Sequence, residues 1–372
     1  MKKTLLLILL LINSISFSQI SVSSSHVGKA EKIKEEDFNR FKKSKTIFIL
    51  SNVLDKSEYE KILKNSWTVT PYQIVNIDIF RYSNYLTNNY SFVELNTINK
   101  NITRASSISN PTNGISPMMS ASYLYLNLDV FMLENKTILK KLDKIKNKKP
   151  EKKYKNTKEI FHENRINLSR VYLFLNSNSA RNILLENSEI QKIVAKKTTT
   201  YSEKENNIFS KILYTKDIFR NYKPGFLKNY FQKINTQLTK NEKYWLYGSD
   251  HTNEIKELKN KTLYIPKYLD IKFHPFKGTE SSEGDERIKK LLEKYQHKYE
   301  VIKANDISEK IMNNEEFYYL RYVRMNTDRF IQIVNSKNGE IIYREYIHGM
   351  SYNLKSKNFK KLNKTIFKAL KK

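Results

Sequence analysis

The chain has 372 residues, no cysteine and a formal net charge of +29, with 67 lysines and arginines against 38 acids. Without thiols it has neither disulfides nor thiolate metal sites, so a hydrophobic core must hold it together, and its length is room for two ordinary domains. The charge favours anionic partners such as nucleic acid, acidic polysaccharide or lipid headgroups; yet only 12 of the basic residues are arginine, the side chain suited to bidentate phosphate contacts, and AT-rich coding alone yields a chain this rich in Lys, Asn, Ile and Tyr.

Residues 1–18, MKKTLLLILLLINSISFS, place two lysines before an apolar run and small residues at Ser16 and Ser18, the pattern of a secretory signal with cleavage before Gln19. The run is far shorter than the roughly 20 residues a membrane-spanning helix needs. The expected product is exported, periplasmic or secreted, with no transmembrane segment; loss of Lys2 and Lys3 leaves +27.

Residues 19–30 read as a flexible tail, and 31–178 as a first α/β domain. In it, TIFIL predicts a strand, KSEYEKILKNSW a helix with Tyr59, Ile62, Leu63 and Trp67 on one face, YQIVNIDIF a strand, YSNYLTNN a short helix and YSFVEL a strand. SASYLYLNLDVFM suits a strand covered on both faces. The stretch 136–158 carries 11 lysines against Asp143 and Glu151; Ile138, Leu142 and Ile145 make its first part helical, and Pro150 is expected to end it in a linker. SRVYLFLN is another strand.

A connecting segment spans 179–219, and a second α/β domain 220–372. GFLKNYFQKINTQL is amphipathic, EKYWLY reads as a short strand and TNEIKELKN as a short helix with Asp250 or Thr252 as its cap. KTLYIP, ERIKKLLEKY, YEVIKA, DISEKIMNN and EFYYLRYV then alternate strand and helix, and RFIQIV and EIIYREY form a hairpin through Asn338-Gly339. Both halves follow the order β-α-β-α-β-β-β. KTIFI matches KTLYI, and Leu54-Asp55 falls opposite Leu269-Asp270 after a one-residue gap. The fold class is therefore α/β (α+β) with two similar domains, pointing to an internal duplication.

GFLKNYFQKIN, ELKNKTLYIPKYLDIKF, EEFYYLRYV and IVNSKNGEIIYREY, followed by SYNLKSKNFKKL, resemble a group of exported proteins of AT-rich Gram-negative bacteria that has no assigned activity. The resemblance covers about residues 220–365. It implies a cellular setting and carries over no catalytic residue.

No HExxH, GxSxG, Walker or GxGxxG motif is present, and the six histidines are scattered singly. No catalytic residue, metal ligand or cofactor is therefore assigned. The segment DIKFHPFKGTESSEGDER, 270–287, leaves the carboxyl end of a strand, where α/β sheets bind ligands; His274, Glu280, Glu283 and Asp285 make it the candidate ligand loop. In EFYYLRYVRM, Tyr318, Tyr322 and Arg324 fall on one face and offer an aromatic and basic stacking surface. The C-terminal Phe359, Leu362, Ile366 and Leu370 form one apolar helical stripe with lysines around it, fit to dock on the domain's own sheet or to lie on an anionic membrane. The expected function is non-enzymatic envelope binding to an anionic polymer or another protein; the alternative is a secreted hydrolase of an anionic polymer.

Overall fold

The computed structural model describes residues 19–26, 28–51, 53–86, 89–105, 118–179, 218–275, 278–325, 327–349 and 351–371. The signal segment and most of the connecting segment lie outside these residues.

The first half forms a six-stranded sheet in the spatial order β1-β6-β5-β4-β2-β3, from Ile20–Val22 (β1), Lys45–Leu50 (β2), Tyr72–Asn76 (β3), Tyr90–Ala105 (β4), Met118–Leu133 (β5) and Arg165–Leu173 (β6). The second half forms another, β7-β14-β13-β12-β8-β11, from Ser249–His251 (β7), Leu263–Pro266 (β8), Tyr299–Ile302 (β11), Tyr318–Met325 (β12), Asp328–Asn335 (β13) and Ile341–Ile347 (β14). In both sheets the strand read from KTIF or KTLY pairs in parallel with its two neighbours, and all other pairs are antiparallel. The halves therefore share one topology strand for strand.

Helices Glu35–Lys42 (α1), Lys56–Lys64 (α2) and Pro224–Lys240 (α5) pack on the face of the first sheet that bears Phe48 and Leu50. The 3-10 helix Asn253–Lys259, Gly284–Leu292 (α6) and Ser356–Leu370 (α8) pack on the face of the second sheet that bears Leu263 and Ile265. The structural partner of Leu263 is thus Phe48, one residue beyond the Ile47 that sequence likeness selects. In this register Leu54-Asp55 meets Leu269-Asp270 without a gap. Ile47, Ile49, Leu263 and Ile265 are all fully buried, but the isoleucines of β2 face the opposite layer, under Asn135–Ile145 (α3) and Pro150–Glu163 (α4).

Three local expectations are corrected. Ile20 to Val22 is no loose tail: it pairs with β6, and the Gln19 side chain donates to the Tyr172 carbonyl. Pro150 begins a helix instead of ending one, because at the first helical position its missing N–H costs nothing. EKYWLY is not a strand: it makes isolated bridges at Tyr244, to Val22, and at Trp245, and the next strand begins at Ser249. The hairpin through Asn338-Gly339 joins β13 to β14 as read, with Gly339 at φ 72°, while Asn338 does not take the positive φ expected of both turn residues.

Helix α5 ties the halves together. Leu227, Phe231, Ile234 and Leu238 join the core of the first sheet, and Phe231 sits edge-on to Phe48 at 5.4 Å. Its other side meets Ala304–Met312 (α7) and the second sheet: the Gly225 N–H donates to Ser308 Oγ at 2.9 Å, and Tyr319 donates to Asn229 Oδ1 at 2.9 Å. One continuous apolar cluster runs from Phe48 through α5 to Tyr319, Val334 and Ile341.

Candidate functional site

Beyond β8, a 3-10 turn leads into a two-stranded antiparallel hairpin, Ile271–His274 (β9) and Thr279–Ser282 (β10). The segment that sequence marks as a loop is thus an ordered insertion, closed at its base by the Glu283 N–H donating to the Asp270 carbonyl at 2.9 Å. Glu280 is its anchor. Its side chain is 2% exposed, between Arg220 at 2.5 Å and Arg324 at 2.7 Å. Arg324 also donates to Ser177 Oγ at 3.0 Å and lies 3.8 Å from the Phe273 ring centroid. Asn178 bonds both backbone groups of Glu280 at 2.7 Å. A cavity of about 10 Å³ remains beneath, lined by Phe174, Tyr268, Arg287, Tyr322 and Asn353 among others, room for about one water.

The structure brings Glu280, Tyr322 and Arg324 together and leaves the other candidates apart. His274 Nε2 lies 2.8 Å from Ser281 Oγ. Glu283 pairs with Lys272 at 2.8 Å and Arg287 at 3.4 Å, and the Lys272 hydrogen bond holds its carboxyl below the usual range. Asp285 is exposed in the first turn of α6, 3.9 Å from Lys267. Tyr318 lies at the other end of β12 and donates to Glu254 at 2.9 Å. Tyr318, Tyr322 and Arg324 are all buried, so the expected stacking surface is interior: α6 and α8 cover that face of the sheet. Of the two residues read as the helix cap, Thr252 holds the N-cap position without a side-chain hydrogen bond, and Asp250 instead accepts both Nε and Nη2 of Arg344, at 2.6 and 2.7 Å.

A second polar constellation, not foreseen from sequence, occupies the first sheet on the side facing α3 and α4. Strand alternation puts Phe92, Glu94 and Asn96 of β4 and Asn127, Asp129 and Phe131 of β5 on this face. Near α4 it is apolar, with Phe92 and Phe131 stacked at 5.5 Å; farther along it becomes a polar floor. Asp129 accepts Arg170 Nε and Nη2 at 2.5 and 2.7 Å and Asn96 Nδ2 at 3.2 Å. Glu94 accepts Arg165 at 2.6 Å. Burial works to raise the Asp129 pKa, but the Arg170 charge and hydrogen bond outweigh it and hold the carboxyl low. His26 is buried beside this pair with neither ring nitrogen bonded, and desolvation, with Arg170, pushes it down to about 4. Both amide atoms of the fully buried Asn127 also lack partners. The signal was present in VELN and LNLDV, where polar residues alternate with apolar ones.

Next to this floor, α3 and α4 turn lysines outward. Lys136, Lys140, Lys144, Lys148, Lys149, Lys152 and Lys153 are exposed, and among the described residues none of them has a carboxylate within ion-pairing distance, whereas Lys146 meets Asp143 at 3.0 Å and Lys141 meets Glu163 at 3.9 Å.

Comparison of the chain with protein-family models, curated proteins and solved structures finds no match. Among the described residues no group of three or more His, Cys, Asp or Glu is placed to hold a metal, and no helix is long and apolar enough to cross a membrane.

Proposed function

We propose that the chain is an exported, non-catalytic binding protein that holds an anionic polymer of the envelope against the lysine face of α3 and α4. The observation that carries this reading is the division of labour between the two basic residue types. Five arginines are engaged with carboxylates inside the protein: Arg165 with Glu94, Arg170 with Asp129, Arg220 and Arg324 with Glu280, Arg344 with Asp250. Lys136, Lys140, Lys144, Lys148, Lys149, Lys152 and Lys153, on and between α3 and α4, face solvent without a carboxylate partner among the described residues. A flexible array of ammonium groups suits a repetitive, flexible polyanion, for which no rigid bidentate geometry is required. The scarcity of arginine is therefore no argument against a selected surface charge.

The hydrolase reading has less support. A glycosidase general acid needs a carboxyl raised in pKa by an apolar setting. Here Asp129 is shifted the other way, and Glu94 and Glu280 each face a guanidinium.

The test is titration calorimetry with an acidic polysaccharide such as polygalacturonate and a neutral dextran, at low and high salt. The expected result is binding to the acidic polymer alone, weakening with salt, and about tenfold or more weaker when Lys144, Lys148, Lys152 and Lys153 are changed together to Glu. Equal binding of dextran, or an unaffected variant, would overturn the proposal.

A further inference from the structure

Helix α8 ends the second half as α5 ends the first, and the two differ in what lies on their outer side. Helix α5 has a second buried face. Gly225, Phe226 and Asn229 meet α7 and the second sheet, and the two lysines buried with them each have acceptors: Lys228 has the Ile311 carbonyl and Asn314 Oδ1 at 2.9 and 2.7 Å, and Lys233 has Glu340 at 2.7 and 2.8 Å. Helix α8 buries Phe359, Leu362, Ile366 and Ala369 against its own half, as its apolar stripe predicts. Leu370, read as part of that stripe, is instead 41% exposed, and Phe367, three residues before it, is 57% exposed. The stripe drifts around the helix over four turns, so its last members leave the core.

Lys364, Lys368 and Lys371 stand within about a turn of these two side chains and Lys357 and Lys360 farther back along the helix, all exposed and without a carboxylate partner among the described residues. The Lys371 ammonium lies 4.4 Å from the Phe367 ring centroid. Only five large apolar side chains are strongly exposed among the described residues, and two of them share this final turn. A third protein layer here, from another copy or a partner sheet, would bury several ammonium groups at once and would need acceptors for each, as α5 has for Lys228 and Lys233. Water alone leaves a phenyl and an isobutyl group solvated side by side. An anionic bilayer surface satisfies both: the two apolar groups enter below the headgroups while the lysines extend to the phosphates.

We propose that the end of α8 is a docking point for an anionic lipid surface, with Phe367 and Leu370 inserted and Lys364, Lys368 and Lys371 on the headgroups. This is a peripheral contact, separate from the lysine face of α3 and α4. A single such helix end gives weak, reversible binding that strengthens with anionic lipid content.

The experiment is co-sedimentation of the chain from Gln19 onward with vesicles of phosphatidylcholine alone or mixed with phosphatidylglycerol. Three variants are compared with the unaltered chain: Phe367→Ser with Leu370→Ser; Lys364→Gln with Lys368→Gln and Lys371→Gln; and the four-lysine variant of α3 and α4. The proposal expects binding to the mixed vesicles only, lost about tenfold or more in each α8 variant and kept in the third. Because all five α8 side chains are solvent-exposed, unchanged thermal melts will show that the fold is intact. Several results would overturn it: no binding to mixed vesicles, equal binding to neutral ones, full binding by the Phe367 and Leu370 variant, or loss only in the third variant. Release by soluble glycerol phosphate as effective as release by competing vesicles would also overturn it, since a free phosphate would then suffice.

Discussion

Acidification should destabilise the protein through one imidazole, and the size of the effect follows from where that imidazole sits. His26 is 8% exposed, next to the Arg170 guanidinium, with neither ring nitrogen hydrogen-bonded. Burial, then Arg170, favour the neutral ring; Asp129 opposes them and is itself engaged by Arg170. The folded pKa is lowered from 6.5 to about 4, so between these values the unfolded chain binds a proton that the folded chain rejects. Stability is therefore highest above about pH 7 and declines as the pH falls towards 4. At 1.36 kcal/mol per pH unit the full loss is about 3 kcal/mol, of which about 2 is reached by pH 5. The assay is urea unfolding of the protein and of His26→Leu across this range. Other groups titrate in both proteins and cancel in the difference, so the variant should gain on the parent by these amounts as the pH falls. Parallel stability curves would refute the reasoning and show that the pocket opens to water or that Asp129 turns to meet the imidazolium.

Gly225→Ala places a Cβ 2.4 Å from the Ser308 carbonyl oxygen and 2.8 Å from its Cα, so α5 and α7 must separate, and urea unfolding should show a loss of about 1–3 kcal/mol; a neutral result would mean the two helices are not tightly apposed. Glu280→Gln keeps the shape and removes the charge between Arg220 and Arg324; the expected destabilisation is about 3–5 kcal/mol, and one under about 1 kcal/mol would mean that water or another acid replaces the carboxylate. Limited trypsin treatment should cut in the lysine-rich turn 146–149 between α3 and α4, and the fragments should co-elute in gel filtration because α5 belongs to both cores; separation of the fragments under native conditions would contradict a shared core.

Much of the architecture was legible because the strands are rich in β-branched and aromatic residues and the helices carry clean apolar faces. The errors have local physical causes. Pro150 reads as a stop signal after α3, yet the same residue is favoured at the first position of α4, and only the lysine turn between them distinguishes the two roles. The first strand has only three residues, Ile20 to Val22, too few to show alternation. The match of KTIFI to KTLYI misplaces the repeat by one position, because β2 is buried on both sides and its Ile-Phe-Ile run carries no polar mark of which side faces α5. In the ligand-loop segment, counting carboxylates favoured Glu283 and Asp285 as much as Glu280. Sequence gives no measure of which acid meets arginines 60 and 44 positions away in the chain. The polar floor was written in VELN and LNLDV, but reading it required knowing that Glu94 and Asp129 are cross-strand partners.

The joint between the halves shows why a chain of this charge can still build a shared core. Two lysines of α5 are buried there. Lys228 Nζ donates to the Ile311 carbonyl at 2.9 Å and to Asn314 Oδ1 at 2.7 Å, and Lys233 meets both oxygens of Glu340. Desolvation lowers the pKa of each, so neither contact is a large source of net stability. What they supply is position. Lys228 reaches the end of α7 and Lys233 the start of β14, and Gly225 and Gly339 let backbone approach α5 at Ser308 and Asn229. A rotation of α5 by one residue would leave two ammonium groups buried without partners and would drive a side chain into Ser308. The apolar side chains of α5 supply the attraction between the halves, while the lysines and glycines restrict it to one geometry. Helix α8 has exposed lysines on its outer side in place of such an arrangement.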